Sequence, residues 1–90
     1  MMTVNTTAQF RKDIKTCAKR GYSLILLKKV VDTLRIPAPL PLRNRNHILS
    51  GNWKGHQECH ILPDWLLIYR VTGDKLVLVR TGTHTDLLEK

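Results

Sequence analysis

Two turn signals divide the second half of the chain into three short segments, and this division constrains the fold more than any other feature. Pro-Asp at residues 63–64 fits the centre of one turn, and Thr-Gly-Asp at residues 72–74 fits the centre of the next. The segments that they separate are residues 55–62, 65–71 and 75–81. Short apolar segments joined by tight turns predict an antiparallel β-meander.

The first of these segments follows the two-residue period of a strand. His56, Glu58 and His60 fall on one face, whereas Cys59 and Ile61 fall on the other. The middle segment is apolar on both faces except for one arginine, as expected of a central strand covered by helices. The first strand therefore presents a chemically active face, and the second forms the middle of the sheet.

The first half of the chain carries two helical patterns that predict an αα-hairpin. Thr6 and Gln9 resemble a capping box at the start of the first helix, and Gly21 suits its left-handed end. Ser23 can cap the second helix, which ends before Pro37 because a helix rarely continues through the residue before a proline. The predicted buried faces are Phe10, Ile14, Cys17 and Ala18 in the first helix and Leu24, Leu27, Val30, Val31 and Leu34 in the second.

The predicted fold is a single α+β domain spanning residues 1–90, in which the helical hairpin packs on a small antiparallel β-sheet. A chain of 90 residues buries one small core and leaves little room for a second. Residues 2–5 are β-permissive and predict a first edge strand. Residues 36–42 contain three prolines and predict an extended connector that is too short to separate two domains.

The charge of the chain makes nucleic acid the first partner to consider. The formal net charge is +8, from 15 Lys+Arg against 7 Asp+Glu, but solubility or an acidic protein partner explains such a charge equally well. The longest uninterrupted apolar run is only the five residues 65–69, which excludes a membrane-spanning helix, and no signal peptide is recognisable. We therefore expect a cytoplasmic protein without a membrane partner.

The two cysteines, Cys17 and Cys59, are too few for a disulfide scaffold, and we expect both to be buried free thiols on apolar faces. A zinc site formed by His56, Cys59 and His60 is disfavoured, because Cys59 points to the opposite face of the strand and no second cysteine pair closes a tetrahedral site. A nucleophilic role for Cys59 is disfavoured by the same orientation. No metal and no other cofactor is expected.

The histidines, Asp64 and Arg80 suit metal-free cleavage of RNA, in which the substrate's own 2′-hydroxyl attacks the adjacent phosphate. Such a site must supply a base, an acid and positive charge. Imidazoles titrate near neutral pH, Arg80 offers a planar fork for phosphate oxygens, and Trp65 can stack on an unpaired base. Each residue also has an ordinary structural explanation, as a turn former, salt-bridge partner or core aromatic. Periodicity alone leaves the two interpretations equally weighted.

A basic segment precedes the predicted sheet. Residues 43–47 read Arg-Asn-Arg-Asn-His and lie just before Gly51. They form either an ordinary polar loop or a phosphate-facing loop with His47 at its edge.

Three ordered motifs resemble the YafQ branch of the RelE/ParE toxin superfamily. The match runs from His47 to Leu88, about half of the chain, and its ordered combination is specific, whereas the two-helix start is not diagnostic. The motifs are Gly51-x-Trp53-Lys54, then Glu58-Cys59-His60-Ile61-x-Pro63-Asp64-Trp65-x-Leu67-Ile68-Tyr69, then Arg80-x-Gly82-Thr83-His84.

The resemblance implies a RelE-like fold and the toxin of a bacterial type II toxin–antitoxin pair. Such a toxin is an endoribonuclease that enters the ribosomal A site and cuts translated mRNA. A cognate antitoxin is implied as well, and we expect a ribbon-helix-helix dimer from the adjacent gene that alone contacts operator DNA. The implied acid–base set is His47, His60, Asp64 and His84, with Arg80 on the scissile phosphate, Trp65 beside the site, and Arg43, Arg45 and Lys54 as further RNA contacts.

Two positions depart from the family pattern. Leu88 stands where many relatives have phenylalanine, and Gln57 where many have arginine, so one packing role is weakened and one possible phosphate contact is lost. Neither departure touches the acid–base set. Two alternatives from other classes are a ParE-like toxin that poisons a topoisomerase by binding, and a nucleic-acid-binding module without chemistry. Both would tolerate substitution of the histidines.

Overall fold

The computed structural model describes residues 2–36, 47–48 and 55–87. A helical hairpin is followed by a β-meander, so the predicted α+β architecture is confirmed. The elements are β1 (Thr3–Thr6), α1 (Ala8–Lys19), α2 (Leu24–Leu34), β2 (His47–Ile48), β3 (Gln57–Leu62), β4 (Trp65–Thr72), β5 (Lys75–Gly82) and α3 (His84–Leu87).

The sheet has five strands in the order β1-β5-β4-β3-β2. The meander β3-β4-β5 is antiparallel as predicted, and β2 joins it antiparallel to β3. The first strand was also predicted, but β1 runs parallel to β5, with Thr3 opposite Lys75. The sheet is therefore mixed rather than purely antiparallel, because β1 runs parallel to β5 whereas all the other described pairs are antiparallel.

Helix α1 begins one residue later than the capping box predicted. Thr6 belongs to β1 and is paired with Leu78, so its backbone is already used by the sheet. The hydroxyl of Thr7 instead accepts a hydrogen bond from the backbone N–H of Phe10 at 3.0 Å, which satisfies a donor of the first turn. The predicted left-handed turn after the helix is confirmed by a φ of 81° at Gly21.

The main core lies between the two helices and one face of the sheet. Every residue of β4 from Trp65 to Tyr69 is buried, which confirms the prediction of a central strand, and a smaller cluster around Leu87 covers its other face. Two helix predictions are wrong, since Ala18 and Leu24 are exposed. The buried main core consists of Phe10, Cys17, Leu27, Val30, Val31, Leu34, Cys59, Ile61, Trp65, Leu67, Tyr69, Leu76 and Leu78.

Both cysteines are free thiols inside this core, as predicted, with Cys17 and Cys59 exposed by 1% and 0%. Burial raises the pKa of Cys59 to about 12, so its thiol stays protonated at neutral pH. None of the helices that the structure describes is long and apolar enough to cross a membrane.

Helix α1 covers the part of the β5 edge that β1 leaves open. The pairing of β1 with β5 stops at Leu78. Beyond that point, the hydroxyl of Thr7 donates to the carbonyl of Val79 at 2.7 Å, and a carboxylate oxygen of Asp13 accepts from the backbone N–H of Thr81 at 3.2 Å. The side chains of Thr7 and Asp13 thus make the backbone hydrogen bonds that a neighbouring strand would otherwise make. They also hold α1 against the end of β5.

Candidate active site

The turn between β3 and β4 meets the start of α3 through Asp64 and His84. The carboxylate oxygen Oδ1 of Asp64 lies 2.6 Å from Nδ1 of His84 and also accepts the backbone N–H of His84 at 3.1 Å. The hydrogen bond from the imidazole, followed by the one from the backbone, lowers the pKa of Asp64. Two residues of the predicted acid–base set are therefore in direct contact, and Asp64 stays ionised at neutral pH.

His60 brings a second imidazole to the same place. Its ring centroid lies 5.6 Å from that of His84, and its Nε2 lies 4.0 Å from a carboxylate oxygen of Glu58. Glu58 is almost fully buried, with 2% exposure. The two imidazoles are thus adjacent, with one carboxylate beside each of them. The alternation along β3 placed Glu58 on the histidine face, but it was not assigned to the site.

The short helix that carries His84 is fixed by reciprocal hydrogen bonds at its start. The hydroxyl of Thr83 accepts from the backbone N–H of Asp86 at 3.1 Å, and the backbone N–H of Thr83 donates to the Asp86 carboxylate at 3.0 Å. A Cβ added at Gly82 would lie 2.8 Å from that carboxylate, so only glycine permits this close approach.

Asp86 also joins α3 to the end of α1. Its two oxygens accept from Arg20 at 2.6 and 3.2 Å. These hydrogen bonds are the main reason that the pKa of Asp86 falls to about 2. The helix that presents His84 is therefore held by its own cap and by α1.

Arg80 is paired with a carboxylate that sequence reasoning missed. Its Nε donates to Oδ2 of Asp13 at 3.1 Å, and its Nη2 donates to Oδ1 at 3.0 Å. This pairing raises the pKa of Arg80, so the guanidinium remains charged. Asp13 is 7% exposed. It lies three residues after Phe10 and four before Cys17, on the buried face of α1. A carboxylate at such a position was the available sign that Asp13 has a buried partner.

The predicted stacking of Trp65 on an RNA base is wrong. The indole is 1% exposed and packs 4.9 Å from the ring of Tyr22. Its N–H donates to the hydroxyl of Thr81 at 2.9 Å, which satisfies the polar atom inside the core. Trp65 points toward the helices, so it holds the strand that follows Asp64 and has no surface to offer a base.

Several predicted residues lie outside the part of the chain that the structure describes. They are Arg43, Arg45, Lys54 and Leu88, together with the side chain of His47. The backbone of His47 forms β2 and lies opposite Glu58 of β3. The other departure, Gln57, accepts a hydrogen bond from the hydroxyl of Tyr69 at 3.2 Å. Among residues 2–36 and 55–87, no group of three or more His, Cys, Asp or Glu side chains is arranged to hold a metal ion.

Comparison with known families gives a match over nearly the whole chain. The sequence model described as "Bacterial toxin of type II toxin-antitoxin system, YafQ" matches residues 2–89. A curated Escherichia coli K12 protein, "mRNA interferase toxin YafQ", is 39% identical over 85 residues, which cover 93% of this chain and 92% of the relative. "Putative toxin YafQ" from Haemophilus influenzae is 33% identical over 90 residues, covering 92% and 88%.

Solved structures resemble the fold equally closely. YafQ from E. coli BL21(DE3) has a TM-score of 0.91 and 36% identity, with 98% and 99% of the two chains covered. A metal-bound toxin from Helicobacter pylori has a TM-score of 0.92 and 41% identity, covering 98% and 100%. A chain of the E. coli DinJ-YafQ toxin-antitoxin complex has a TM-score of 0.88 and 38% identity, covering 97% of each chain.

Proposed function

The chain belongs to the YafQ family of bacterial toxins from type II toxin–antitoxin systems, and on that premise we propose that it is an mRNA interferase. The E. coli relative, which is 39% identical over 85 residues, is named an mRNA interferase. This chain is accordingly an endoribonuclease. The finer proposal is that it cuts translated mRNA in the ribosomal A site by metal-independent acid–base catalysis.

In the proposed reaction, the RNA supplies its own nucleophile. A base removes the proton of the 2′-hydroxyl, the oxygen forms a bond to the adjacent phosphorus, and the bond from phosphorus to the 5′-oxygen breaks. An acid gives a proton to the departing 5′-oxygen. The products are a 2′,3′-cyclic phosphate and a 5′-hydroxyl, and no water or metal ion takes part in this first step.

The observation that carries this proposal is the adjacency of His60 and His84 beside Asp64. The mechanism needs two proton-transfer groups near one phosphate, and two imidazoles with ring centroids 5.6 Å apart suit that need. The 2.6 Å contact with Asp64 fixes the orientation of the His84 ring and places a carboxylate beside it. His47 remains the proposed third imidazole, because β2 places its backbone opposite Glu58.

Positive charge for the crowded phosphate is assigned to Arg80. Its guanidinium stays protonated under all physiological conditions and forms paired hydrogen bonds with phosphate oxygens. Stabilisation of charge that develops in the transition state is usually the largest contribution to catalysis of this kind. Arg43, Arg45 and Lys54 remain proposed contacts to the flanking RNA.

The proposed partners are the ribosome with its mRNA and a cognate antitoxin. The E. coli relative is found in a toxin-antitoxin complex with DinJ, which supports an antitoxin for this chain. We propose a ribbon-helix-helix dimer encoded by the adjacent gene, with operator DNA bound only through the antitoxin. The proposed place of action is the cytoplasm, where translated mRNA is found.

A 2′-deoxy substitution tests the proposed chemistry. Purified toxin is added to programmed ribosomes that carry either normal mRNA or mRNA with one 2′-deoxy sugar at the cleavage position. The deoxy mRNA should bind normally but resist cutting, since only the nucleophile has been removed. Normal mRNA should yield a 2′,3′-cyclic phosphate and a 5′-hydroxyl, with or without a chelator.

Two variants serve as controls for this experiment. His84→Ala should be folded and inactive, because His84 is exposed on α3 rather than part of the core. Asp32→Asn changes an exposed carboxylate of α2 and should cut like the parent. Loss of activity with chelator, or undiminished cutting of the deoxy mRNA, would favour metal-activated water instead. A His84→Ala variant that cuts at the parent rate would remove His84 from the acid–base set. A parent protein that binds programmed ribosomes without cutting their mRNA would favour the two binding-only alternatives.

A further inference from the structure

Arg80 meets Asp13 through one particular edge of its guanidinium. Nε and Nη2 donate to the two carboxylate oxygens at 3.1 and 3.0 Å, which is a side-on pair. A guanidinium carries five N–H groups, so this pairing uses two of them. Its end-on edge, where Nη1 and Nη2 lie side by side, receives no hydrogen-bond acceptor from the residues that the structure describes. That edge has the geometry of a fork for two phosphate oxygens.

Asp13 is itself held on every side. Oδ1 accepts from Gln9 Nε2 at 3.0 Å as well as from Arg80, and Oδ2 accepts from the backbone N–H of Thr81 at 3.2 Å as well as from Arg80. Each oxygen therefore receives two hydrogen bonds, which fills the acceptor capacity of a carboxylate. A side chain that is 7% exposed and fully bonded in this way has one orientation.

The pair lies beside a cleft between α1 and the last residues of β5. The cleft has a volume of about 260 Å³. Gln9, Asp13 and Thr16 line it from the helix, and Arg80 and Thr81 line it from the strand. Arg80 is thus held on an open surface, with 28% of its side chain exposed to solvent.

We infer that Asp13 is a positioning residue that fixes the guanidinium of Arg80 so that its end-on edge faces the scissile phosphate. The inference rests on the proposed function, since it assigns to Arg80 the phosphate contact of the cleavage reaction. Asp13 does not touch the RNA. It acts through Arg80 alone, and it limits the number of directions in which a long, flexible side chain points.

The charge of Asp13 gives this role a signature that a purely structural role lacks. The carboxylate offsets the positive charge of Arg80 at hydrogen-bond distance, so it weakens the general attraction of the site for RNA. Asp13→Asn removes that offset and should leave RNA binding equal or tighter. The asparagine side chain has only one acceptor oxygen, and its other terminal atom is a donor nitrogen. It therefore cannot accept hydrogen bonds at two oxygens from Nε and Nη2 of Arg80, and the guanidinium loses its fixed direction. Catalysis should therefore fall while binding is kept or strengthened.

The test compares Asp13→Asn, Arg80→Gln and the double variant on programmed ribosomes. Single-turnover cleavage at saturating toxin measures the chemical step, and binding to mRNA with a 2′-deoxy sugar at the cleavage position measures affinity. Asp13→Asn should slow cleavage by about 10²-fold without loss of affinity. In the Arg80→Gln background, Asp13→Asn should have no further effect on cleavage, because its action passes through the arginine. Asp32→Asn removes the same charge from α2 and should change neither quantity.

The outcomes separate this inference from the proposed function. If Arg80→Gln cuts at the parent rate, the assignment of the phosphate contact to Arg80 is wrong. If Arg80→Gln is slow but Asp13→Asn slows it again by the full factor, Asp13 acts independently and the inference fails. Equal losses of affinity and rate in Asp13→Asn, with a lowered melting temperature, would also overturn it, because they indicate a structural role for the helix.

Discussion

Asp64 controls His84 through a single oxygen that accepts two hydrogen bonds. One comes from the imidazole at 2.6 Å and the other from the backbone of the same residue at 3.1 Å. The backbone bond fixes where α3 begins, and the imidazole bond fixes the orientation of the ring. Because both partners are exposed, the value of this contact lies in orientation and charge rather than in stability.

Asp64→Asn separates these two functions. The amide oxygen can still accept from the His84 backbone, but it brings no negative charge to the imidazole, so the cleavage rate should fall by about 10²-fold or more with little change in fold. The pKa of Asp64 is lowered in the folded protein. Asp64 therefore keeps its charge throughout the range from pH 5 to 8, and loses it only as the pH falls below the ordinary value of 3.8 and through the lowered one. Single-turnover cleavage of mRNA measured from pH 5 to 8 checks the effect.

Asp74→Asn is the matched control, because Asp74 is an exposed aspartate in the turn at the other end of β4. It should cut at the parent rate across the same range. An Asp64→Asn variant that is equally fast would show that the ring of His84 needs no carboxylate, and the acid–base assignment of Asp64 would have to be dropped.

Individual residues show where sequence reasoning succeeded and where it stopped. The motif predicted that His60, Asp64 and His84 belong together, and the structure places them in contact or adjacent. Trp65 was misassigned because the two-residue period assigns a side chain to a face but does not say what covers that face. Asp13 was missed because its partner is 67 residues away in the chain.

Helix α1 connects two separate parts of the site at the level of whole elements. Asp13 and Arg20 lie seven residues apart, which is two helical turns, so they fall on one face of α1. Asp13 binds Arg80 of β5, and Arg20 binds Asp86 of α3, two residues after His84. One helix thus fixes the segment that contains both the proposed phosphate contact and the proposed proton-transfer group.

Arg20→Met tests the second of these connections through its pH dependence. The pKa of Asp86 is about 2 in the folded protein, below the ordinary value of 3.8. A lowered pKa means that the ion pair stabilises the fold fully above pH 4 and loses this effect as the pH falls toward 2. Arg20→Met should therefore reduce the free energy of unfolding at pH 7, and most of this difference should be lost as the pH falls to 2. Urea unfolding at a series of pH values measures it.

Lys28→Met provides the comparison, since it breaks an exposed pair with Asp32 within α2. Such pairs contribute roughly 0.3–0.5 kcal/mol, so its effect at neutral pH should be smaller. If the free energy of unfolding of Arg20→Met stays equally far below that of the parent at pH 2, the stabilisation comes from packing of the arginine stem and not from the ion pair.

Helical periodicity predicted both long helices, but it could not predict how they meet the sheet. Ala18 was assigned to the buried face by its polarity, whereas the structure exposes this alanine and buries the carboxylate of Asp13. A buried carboxylate is stable only with partners, and here those partners belong to β5. The parallel pairing of β1 with β5 could not be predicted from the sequence either, because strands so far apart in the chain pair without a local sequence signal.

The whole molecule carries a charge that favours polyanions. Its formal net charge of +8 includes a group of exposed basic residues on α1, namely Arg11, Lys12, Lys15 and Lys19. RNA that contacts such a surface releases bound cations, and this release depends on the salt concentration. Affinity for the ribosome should therefore be a property of the entire surface, whereas the rate of cleavage belongs to a few residues.

Binding should weaken steeply as salt is added. We expect the logarithm of the binding constant to fall linearly with the logarithm of the salt concentration, with a slope of about −0.7 for each phosphate contacted on a single strand. Equilibrium binding to ribosomes programmed with 2′-deoxy mRNA measures this slope without interference from cutting. A binding constant that does not change between 50 and 200 mM salt would show that shape or apolar contact supplies the affinity, and that the basic surface does not.

The parallel pairing of β1 with β5 also delays completion of the sheet during synthesis of the chain. Thr3 pairs with Lys75, so β1 cannot pair until Lys75 has been translated. At about 5–20 residues per second, the ribosome needs roughly 4–14 s to make the intervening chain. Until then β1 has no partner strand, Asp13 has no arginine, and α1 lacks the edge that it covers. Arg80 and the residue proposed to position it are therefore brought together only after both the earliest and the latest segments have been translated.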